Sequence, residues 1–328
     1  MDRSPIRTYL DFEKPIAELD ANIAELKRLS EEEGVDRSIE IGELEEHRDR
    51  LIAEIFANLT PWDKTLLARH PNRPYTMDYI RYVFDDFIEL HGDRLFADDN
   101  AVVGGFAFLD GKPVMVIGQQ KGRDLKERQF RNFGSSKPEG YRKALRLMKM
   151  AEKFERPIIC LVDTPAADCS FGSEERGISE AIARNMREMS LLRVPVVVVV
   201  VGEGGSGGAL GIAVGNKVLM QENAIYSVIP PEGCAAILSE FKRDPARAPE
   251  AAAAMKVTAQ QVMELGVVDE VIPEPLGGAH RNYEEASEKV KEAIIRHLAP
   301  LERLSPNKLV AQRYDKFRKM GVFETLEV

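Results

Sequence analysis

Two apolar periodicities divide this chain. Before residue 60, Ile16, Leu19, Ile23 and Leu26 recur at three- and four-residue steps with Glu, Lys and Arg between them, and Leu44, Leu51, Ile55 and Leu59 line one face of a second run. Each run predicts an amphipathic helix with a narrow seam, and Gly34 separates the two, so residues 1–60 are expected to form a helical hairpin. A seam this thin does not fold alone. The hairpin should pack on the main body or on a partner subunit and leave its outer face solvated.

The pattern then becomes mixed. Val102 to Leu109 and Val114 to Gly118 flank Asp110-Gly111, which reads as a β-hairpin with a tight turn. Ser136-Lys137-Pro138-Glu139 reads as a capping box that opens a helix through Tyr141, Leu145 and Met148 to Phe154, ended at Arg156-Pro157. Ile158 to Val162 forms a strand leading to Asp163-Thr164-Pro165. The same order then repeats. A helix from about Glu174, with Ile178, Ile182, Met186 and Met189 on its buried face, ends at Arg193-Val194-Pro195 before six consecutive valines, Val196 to Val201. A β-branched run this short predicts a strand buried on both faces. Residues 61–300 are therefore expected to form an α/β domain of repeated strands and helices, with 301–328 as a C-terminal helical tail. The strand ends at Asp163 and Gly202 should open on the same side of the sheet, the natural floor of a site.

The valines run into Gly202-Glu203-Gly204-Gly205-Ser206-Gly207-Gly208-Ala209. Glycines let the backbone turn sharply and expose bare N–H groups where a helix begins, which suits an anion or an oxyanion. Three devices fit this string. Gly202-x-Gly204-x-x-Gly207 matches a dinucleotide fingerprint with Glu222 downstream, but only Leu210 to Val214 precede Gly215-Asn216, too short for a crossover helix. Gly204-x-Ser206-x-Gly208 matches a nucleophile elbow with Asp269 and His280 in hydrolase order, although nothing ties His280 to Ser206. The third device is an oxyanion hole of backbone amides that polarises a thioester or carboxyl oxygen without a side-chain nucleophile. Apolar runs on both sides argue against a flexible linker.

Composition narrows the field. The chain has 328 residues, enough for one large domain with an appendage, and a net charge of −9 that gives no global reason to coat nucleic acid. No apolar stretch reaches membrane-spanning length, and Met1-Asp2-Arg3-Ser4-Pro5 lacks the apolar core of a signal peptide, so a cytoplasmic location is expected. Cys160, Cys169 and Cys234 form no CxxC pair, and neither a disulfide framework nor a metal site is expected in this chain.

Longer motifs carry a resemblance. Glu174-Glu175-Arg176-Gly177, Ser179 to Asn185, Arg187-Glu188-Met189-Ser190, Gly202 to Ala209, Tyr226 to Ile229, Pro231 to Ala235 and Ile272 to Arg281 resemble the carboxyltransferase alpha subunit family of bacterial acetyl-CoA carboxylase. His70-Pro71-x-Arg73-Pro74-Tyr75-Thr76 and Arg131-Asn132-Phe133-Gly134 agree, and the similarity covers nearly the whole chain. The resemblance implies a crotonase-like superhelix of ββα units behind the helical hairpin. It implies a biotin-dependent carboxyltransferase that moves the carboxyl group of carboxybiotin, held on a carrier protein, to acetyl-CoA, forming malonyl-CoA in the first committed step of fatty acid synthesis. It also implies partners: a beta subunit that bears a zinc ribbon in many members, the biotin carboxyl carrier protein and biotin carboxylase, in an alpha2beta2 carboxyltransferase.

Carried onto this sequence, the resemblance assigns the biotin-side oxyanion hole to the amides of Gly207 and Gly208. Gly204, Gly205 and Ser206 then shape the biotin pocket, and Gly233 and Cys234, at a possible helix start after Tyr226, form its wall. Lys121, Arg123, Lys126, Arg128 and Arg131 are expected either to meet coenzyme A phosphates or to form a solvated face. Glu174, Glu175 and Glu203 read as turn-stabilising charges rather than general acids. One loop departs from the family: Asp163-Thr164-Pro165-Ala166-Ala167-Asp168-Cys169-Ser170 stands where Asp-Thr-Pro-Gly-Ala-Tyr-Pro-Gly is usual. Two alternatives therefore stay open, a related acyl-CoA carboxyltransferase or decarboxylase subunit and a catalytically impaired paralogue acting as a structural partner.

Overall fold

The structure, a computed structural model, describes residues 8–322. The outermost residues of the expected hairpin and tail, 1–7 and 323–328, lie outside it. Helices α1 (Lys14–Glu33) and α2 (Ser38–Ala57) form the hairpin, and Gly34 ends α1 at φ +65°, a left-handed turn that glycine adopts without steric penalty. Ile16, Ile23 and Ile52 are its buried residues; the expected face ran through Leu51 and Ile55, which are half-buried. The hairpin packs on a loop near residue 280. There Arg281 Nη2 donates to Asp20 at 2.8 Å and His280 Nε2 lies 3.0 Å from Glu13.

Helices α3 (Pro61–Ala68) and α4 (Thr76–Val83) lead into a sheet of β1 (Asp85–Glu89), β2 (Val102–Leu109), β3 (Lys112–Gln119), β4 (Ile158–Thr164), β5 (Val196–Gly205), β6 (Lys217–Gln221), β7 (Ile225–Ser227) and β8 (Glu270–Ile272). The strand order is β1-β2-β3-β4-β5-β6-β8, with β7 pairing the far end of β5. β1, β2 and β3 are antiparallel neighbours, and β3 through β8 are parallel. Asp110 and Gly111 turn β2 into β3 at φ +47° and +74°, two positive values that match strand twist.

Between and beyond the strands lie α5 (Leu125–Phe130), α6 (Pro138–Lys153), α7 (Phe171–Glu175), α8 (Ile178–Leu191), α9 (Ser206–Leu210), α10 (Pro231–Ile237), α11 (Ala248–Met255), α12 (Ala259–Glu264), α13 (Tyr283–Leu301) and α14 (Pro306–Arg318). The valine strand is covered as its composition predicts. Val196, Val198 and Val200 pack with Leu147 and Met148 of α6 and Met189 of α8, while Val197, Val199 and Val201 pack with Tyr79 and Ile80 of α4 and Ile294 of α13. Alternate residues of one strand thus anchor two helical layers.

Two local expectations fail. The Ser136 capping box does not form: α6 starts from Lys137, Ser136 instead pairs with Ala167 as an isolated bridge, and Glu139 receives Arg176 Nε at 2.7 Å. The helix expected from Glu174 is two helices, broken where Gly177 takes φ +78°.

Candidate functional site

β5 passes its last valine and enters the glycine turn between β4 and β7. Close approach explains most of the glycines. A Cβ at Gly204 would lie 2.4 Å from the Tyr226 ring, one at Gly205 2.0 Å from the Pro165 carbonyl oxygen, and one at Gly208 2.6 Å from Ala166 backbone. Only residues without a side chain fit there. Gly207 differs, since a Cβ would meet nothing nearer than Ile182 at 3.6 Å.

Ser206 takes φ +49° and starts α9, which spans five residues. The first amides of a helix lack intrahelical acceptors. Gly211 N–H donates to the Gly207 carbonyl, but among the described residues no acceptor is recorded for the N–H of Gly207 or of Gly208. Ser206 and Gly207 line a cavity of about 510 Å³ whose other walls include Leu210, Val228, Val262 and Val267. Gly208 is buried immediately behind them. A larger cavity of about 650 Å³ lies at the opposite ends of β3, β4 and β5, beside Pro113, Pro157 and Pro195, and touches none of these residues.

Charged side chains support the turn from beneath. Lys121 Nζ lies 2.7 Å from Asp163 and 2.8 Å from Glu203, Arg69 Nε donates to Glu203 at 2.7 Å, and Arg69 Nη1 reaches Glu232 at 2.5 Å. The Glu203 N–H donates to Asp163 Oδ1 at 2.9 Å, tying the end of β5 to β4. Burial disfavours the charged form of Lys121, but Asp163 and Glu203 outweigh it and hold its pKa above the usual range. Burial likewise works against the Glu203 carboxylate, and Lys121 and Arg69 overcome it to keep that pKa low. Burial pushes Asp163 upward despite Lys121. Glu203 is therefore a turn-stabilising charge, and Glu174 and Glu175 stand exposed on α7.

This network already engages Lys121, expected as a possible phosphate contact, since its ammonium lies between two carboxylates. Arg123 is also engaged. It pairs with Asp78, donates to the Pro71 carbonyl at 3.0 Å and lies 4.6 Å over the Tyr75 ring. Arg131 donates to Asn100 O at 2.9 Å, Arg128 donates to Gly122 O at 3.2 Å, and Lys126 is exposed.

Gly233 and Cys234 sit in α10, where Cys234 packs with Ala235, Phe241 and Ala251 rather than on the cavity at Gly207. The elbow residues are dispersed. His280 stacks on His70 with centroids 4.1 Å apart and bonds Glu13, while Asp269 accepts from the Val218 N–H at 2.7 Å and from Lys316. No described side chain hydrogen-bonds the Ser206 hydroxyl. Sequence reasoning placed Asp163 at the strand end that floors this region but missed Arg69 and Gln119, which carry no local signal.

A profile described as acetyl co-enzyme A carboxylase carboxyltransferase-like matches residues 9–321. A protein of Geobacter metallireducens named acetyl-coenzyme A carboxylase carboxyl transferase subunit alpha is 56% identical over 96% of this chain and 98% of its own length. A protein of the same name from Syntrophotalea carbinolica is 58% identical over 96% and 99%. Among solved structures, transcarboxylase 12S aligns with TM-score 0.56 and 20% identity over 71% of this chain, which spans 43% of that larger chain. A Pseudomonas malonate decarboxylase hetero-tetramer chain, in complex with coenzyme A, aligns with TM-score 0.54 and 17% identity over 65% of this chain and 84% of that one. These likenesses give the fold, which is crotonase-like. With a sheet whose central strand ends in an unpaired-amide turn, and with relatives that match it from end to end, the chain belongs to the acetyl-CoA carboxylase carboxyltransferase alpha-subunit family.

Proposed function

We propose that this chain is the alpha subunit of a carboxyltransferase that moves the carboxyl group of carboxybiotin to acetyl-CoA, forming malonyl-CoA. The observation that carries this reading is the free Gly207 N–H at the mouth of an apolar cavity, with Gly208 directly behind it. Leu210, Val228, Val262 and Val267 offer an apolar wall to a fused ring, and the amides offer donors to one polar oxygen at its edge. Carboxybiotin supplies an activated carboxyl group whose departure places negative charge on the ureido oxygen.

The chain's own contribution is electrostatic. Fixed N–H donors aimed at developing charge need no reorganisation, and an apolar wall keeps water from screening them. Ser206 serves as part of the turn, and Gly204 and Gly205 let β4 and β7 close around it. Lys126, which is exposed, remains available for coenzyme A phosphates, and Arg128 and Arg131 could join it with the guanidinium nitrogens not given to backbone carbonyls. A beta subunit would supply the second amide pair for the thioester enolate, in an alpha2beta2 assembly fed by the carrier protein and biotin carboxylase in the cytoplasm. Among the described residues no helix is long and apolar enough to cross a membrane.

The test combines this chain with purified beta subunit, malonyl-CoA and free biotin and follows acetyl-CoA. Turnover that requires both chains is expected. Failure to form a complex removes the family role, and a complex without turnover points to the impaired paralogue and to the Ala166–Ser170 loop. A fluorophosphonate probe labelling the protein, with labelling lost in Ser206→Ala, would revive the hydrolase.

A further inference from the structure

The short helix α9 leaves one carbonyl in an unusual position. Gly211 N–H returns to Gly207 O, and Ile212 N–H goes to Ala209 O at 3.1 Å rather than to Gly208 O. The Gly208 carbonyl, buried in α9 just past the end of β5, thus loses the backbone donor that a longer helix would provide. Two buried side chains from distant segments take that place. Gln119 Nε2, at the end of β3, donates to Gly208 O at 2.7 Å, and the Tyr141 hydroxyl of α6 donates to the same oxygen at 3.1 Å. Both side chains are fully buried.

Each is itself held. The Asp163 N–H donates to Gln119 Oε1 at 3.2 Å, which fixes the amide so that its NH₂ faces Gly208. Thr76 Oγ1 donates to the Gln119 carbonyl at 2.5 Å. The Tyr141 ring lies against Gly211, where a Cβ would come within 2.5 Å of it. Asn185 Nδ2 then donates to both the Tyr141 and Gly211 carbonyls, at 2.8 and 3.0 Å. A buried carbonyl with two converging donors is strongly restrained, and restraining it sets the rotation of the neighbouring peptide planes.

Resting on the reading of Gly207 and Gly208 as oxyanion donors, we infer that Gln119 and Tyr141 are positioning residues for carboxyl transfer. They hold the Gly207–Gly208–Ala209 peptides from behind so that the free N–H groups keep their direction, and they touch no substrate. Misdirected donors weaken the bond to developing charge more than they weaken ground-state binding, so the loss falls on kcat.

The test measures carboxyl transfer in the complex with the beta subunit, together with hydrogen exchange of residues 206–211. Gln119→Met removes the donor at nearly constant volume, and Tyr141→Phe removes the hydroxyl alone. Each is expected to lower kcat about 10-fold with KM changed less than about 2-fold, and to speed exchange in 206–211. The double variant should lose less than the product of the single losses, because both donors serve one oxygen. Gln119→Glu supplies a second readout. Its introduced carboxyl can donate to Gly208 O only when protonated, so its kcat relative to the parent should rise as pH falls, a profile that a packing role would not produce. Unchanged kcat and exchange in Gln119→Met and Tyr141→Phe, or a flat relative pH profile in Gln119→Glu, would overturn the inference. A parent complex that assembles without turnover would instead remove the functional reading on which it rests, while faster exchange in the variants would still show the bracing.

Discussion

The turns that follow β4 and β5 occupy equivalent places at the same edge of the sheet, yet they dispose of their polar groups in opposite ways. After β4 the chain closes on itself. Thr164 Oγ1 donates to Gly134 O at 2.7 Å, the Asp168 N–H donates to Ser136 O at 2.9 Å, and the Asp168 carboxylate accepts from Ser170 and Ser173 at 2.5 Å each. After β5 no side chain closes the turn: Gly207 and Gly208 keep free N–H groups, and their support comes from below through Glu203 and from behind at Gly208 O. The polar side chains of the β4 turn are spent on the turn itself and on its neighbours, whereas Gly207 and Gly208 carry none to spend. The contrast separates a wall from a working edge within one repeated motif.

Removing the support beneath the β5 turn should have the largest effect. Lys121→Met leaves Asp163 and Glu203 facing each other in the interior, and loss of one partner from a buried ion cluster costs about 3–5 kcal/mol. Urea unfolding of the parent and variant measures it; equal stabilities would mean that Lys121 is not holding the two strands together. Next comes Gly208→Ala, whose Cβ would meet Ala166 backbone at 2.6 Å and push the two turns apart, lowering stability by about 2 kcal/mol and abolishing transfer. Gly207→Ala is its control. With 3.6 Å of space toward Ile182 it should change stability by less than about 1 kcal/mol, and similar losses for both variants would contradict the packing described.

Acid should loosen the β4 turn. Burial works against the Asp168 carboxylate, but hydrogen bonds from Ser170 and Ser173 lead the opposing effects and hold its pKa below the ordinary 3.8. A lowered pKa in the fold means that this carboxylate stabilises the β4 turn above 3.8 and that the contribution is lost as pH falls below it. Hydrogen exchange corrected for its intrinsic pH dependence should therefore rise in residues 166–173 as pH falls below 3.8, and unchanged exchange there would contradict this role of Asp168. The smallest effect belongs to Ser206→Ala, which should leave transfer within about 3-fold of the parent because no described side chain bonds that hydroxyl. A much larger loss would restore a chemical role to Ser206.

What could be read from residue order follows the range of the interactions. The two hairpins and the valine strand rest on local periodicity and turn chemistry, and the structure contains all three. The glycine turn was visible as well, because close approach is written as an unbroken absence of side chains. Its bracing was hidden: Gln119 reaches Gly208 across a separation of 89 residues, Tyr141 across 67, and Lys121 reaches Glu203 across 82. Lys121 looked like its basic neighbours because a lysine that ends inside the protein differs from a solvated one only in partners that arrive from other strands. Ser136 failed as a cap for a related reason, since its backbone is claimed by Ala167 and Asp168 from the next strand's turn. The short β7 and β8 strands exist by pairing with β5 and β6 and carry little pattern of their own.

The central claim is that main-chain N–H groups at Gly207 and Gly208 stabilise charge during carboxyl transfer. Replacing the amide N–H of each in turn by an ester oxygen deletes the donor and leaves every side chain in place, and kcat of the assembled carboxyltransferase is then compared with the parent. The account predicts a fall in kcat of about 100-fold or more with KM and assembly preserved. An unchanged kcat with both replacements would contradict it.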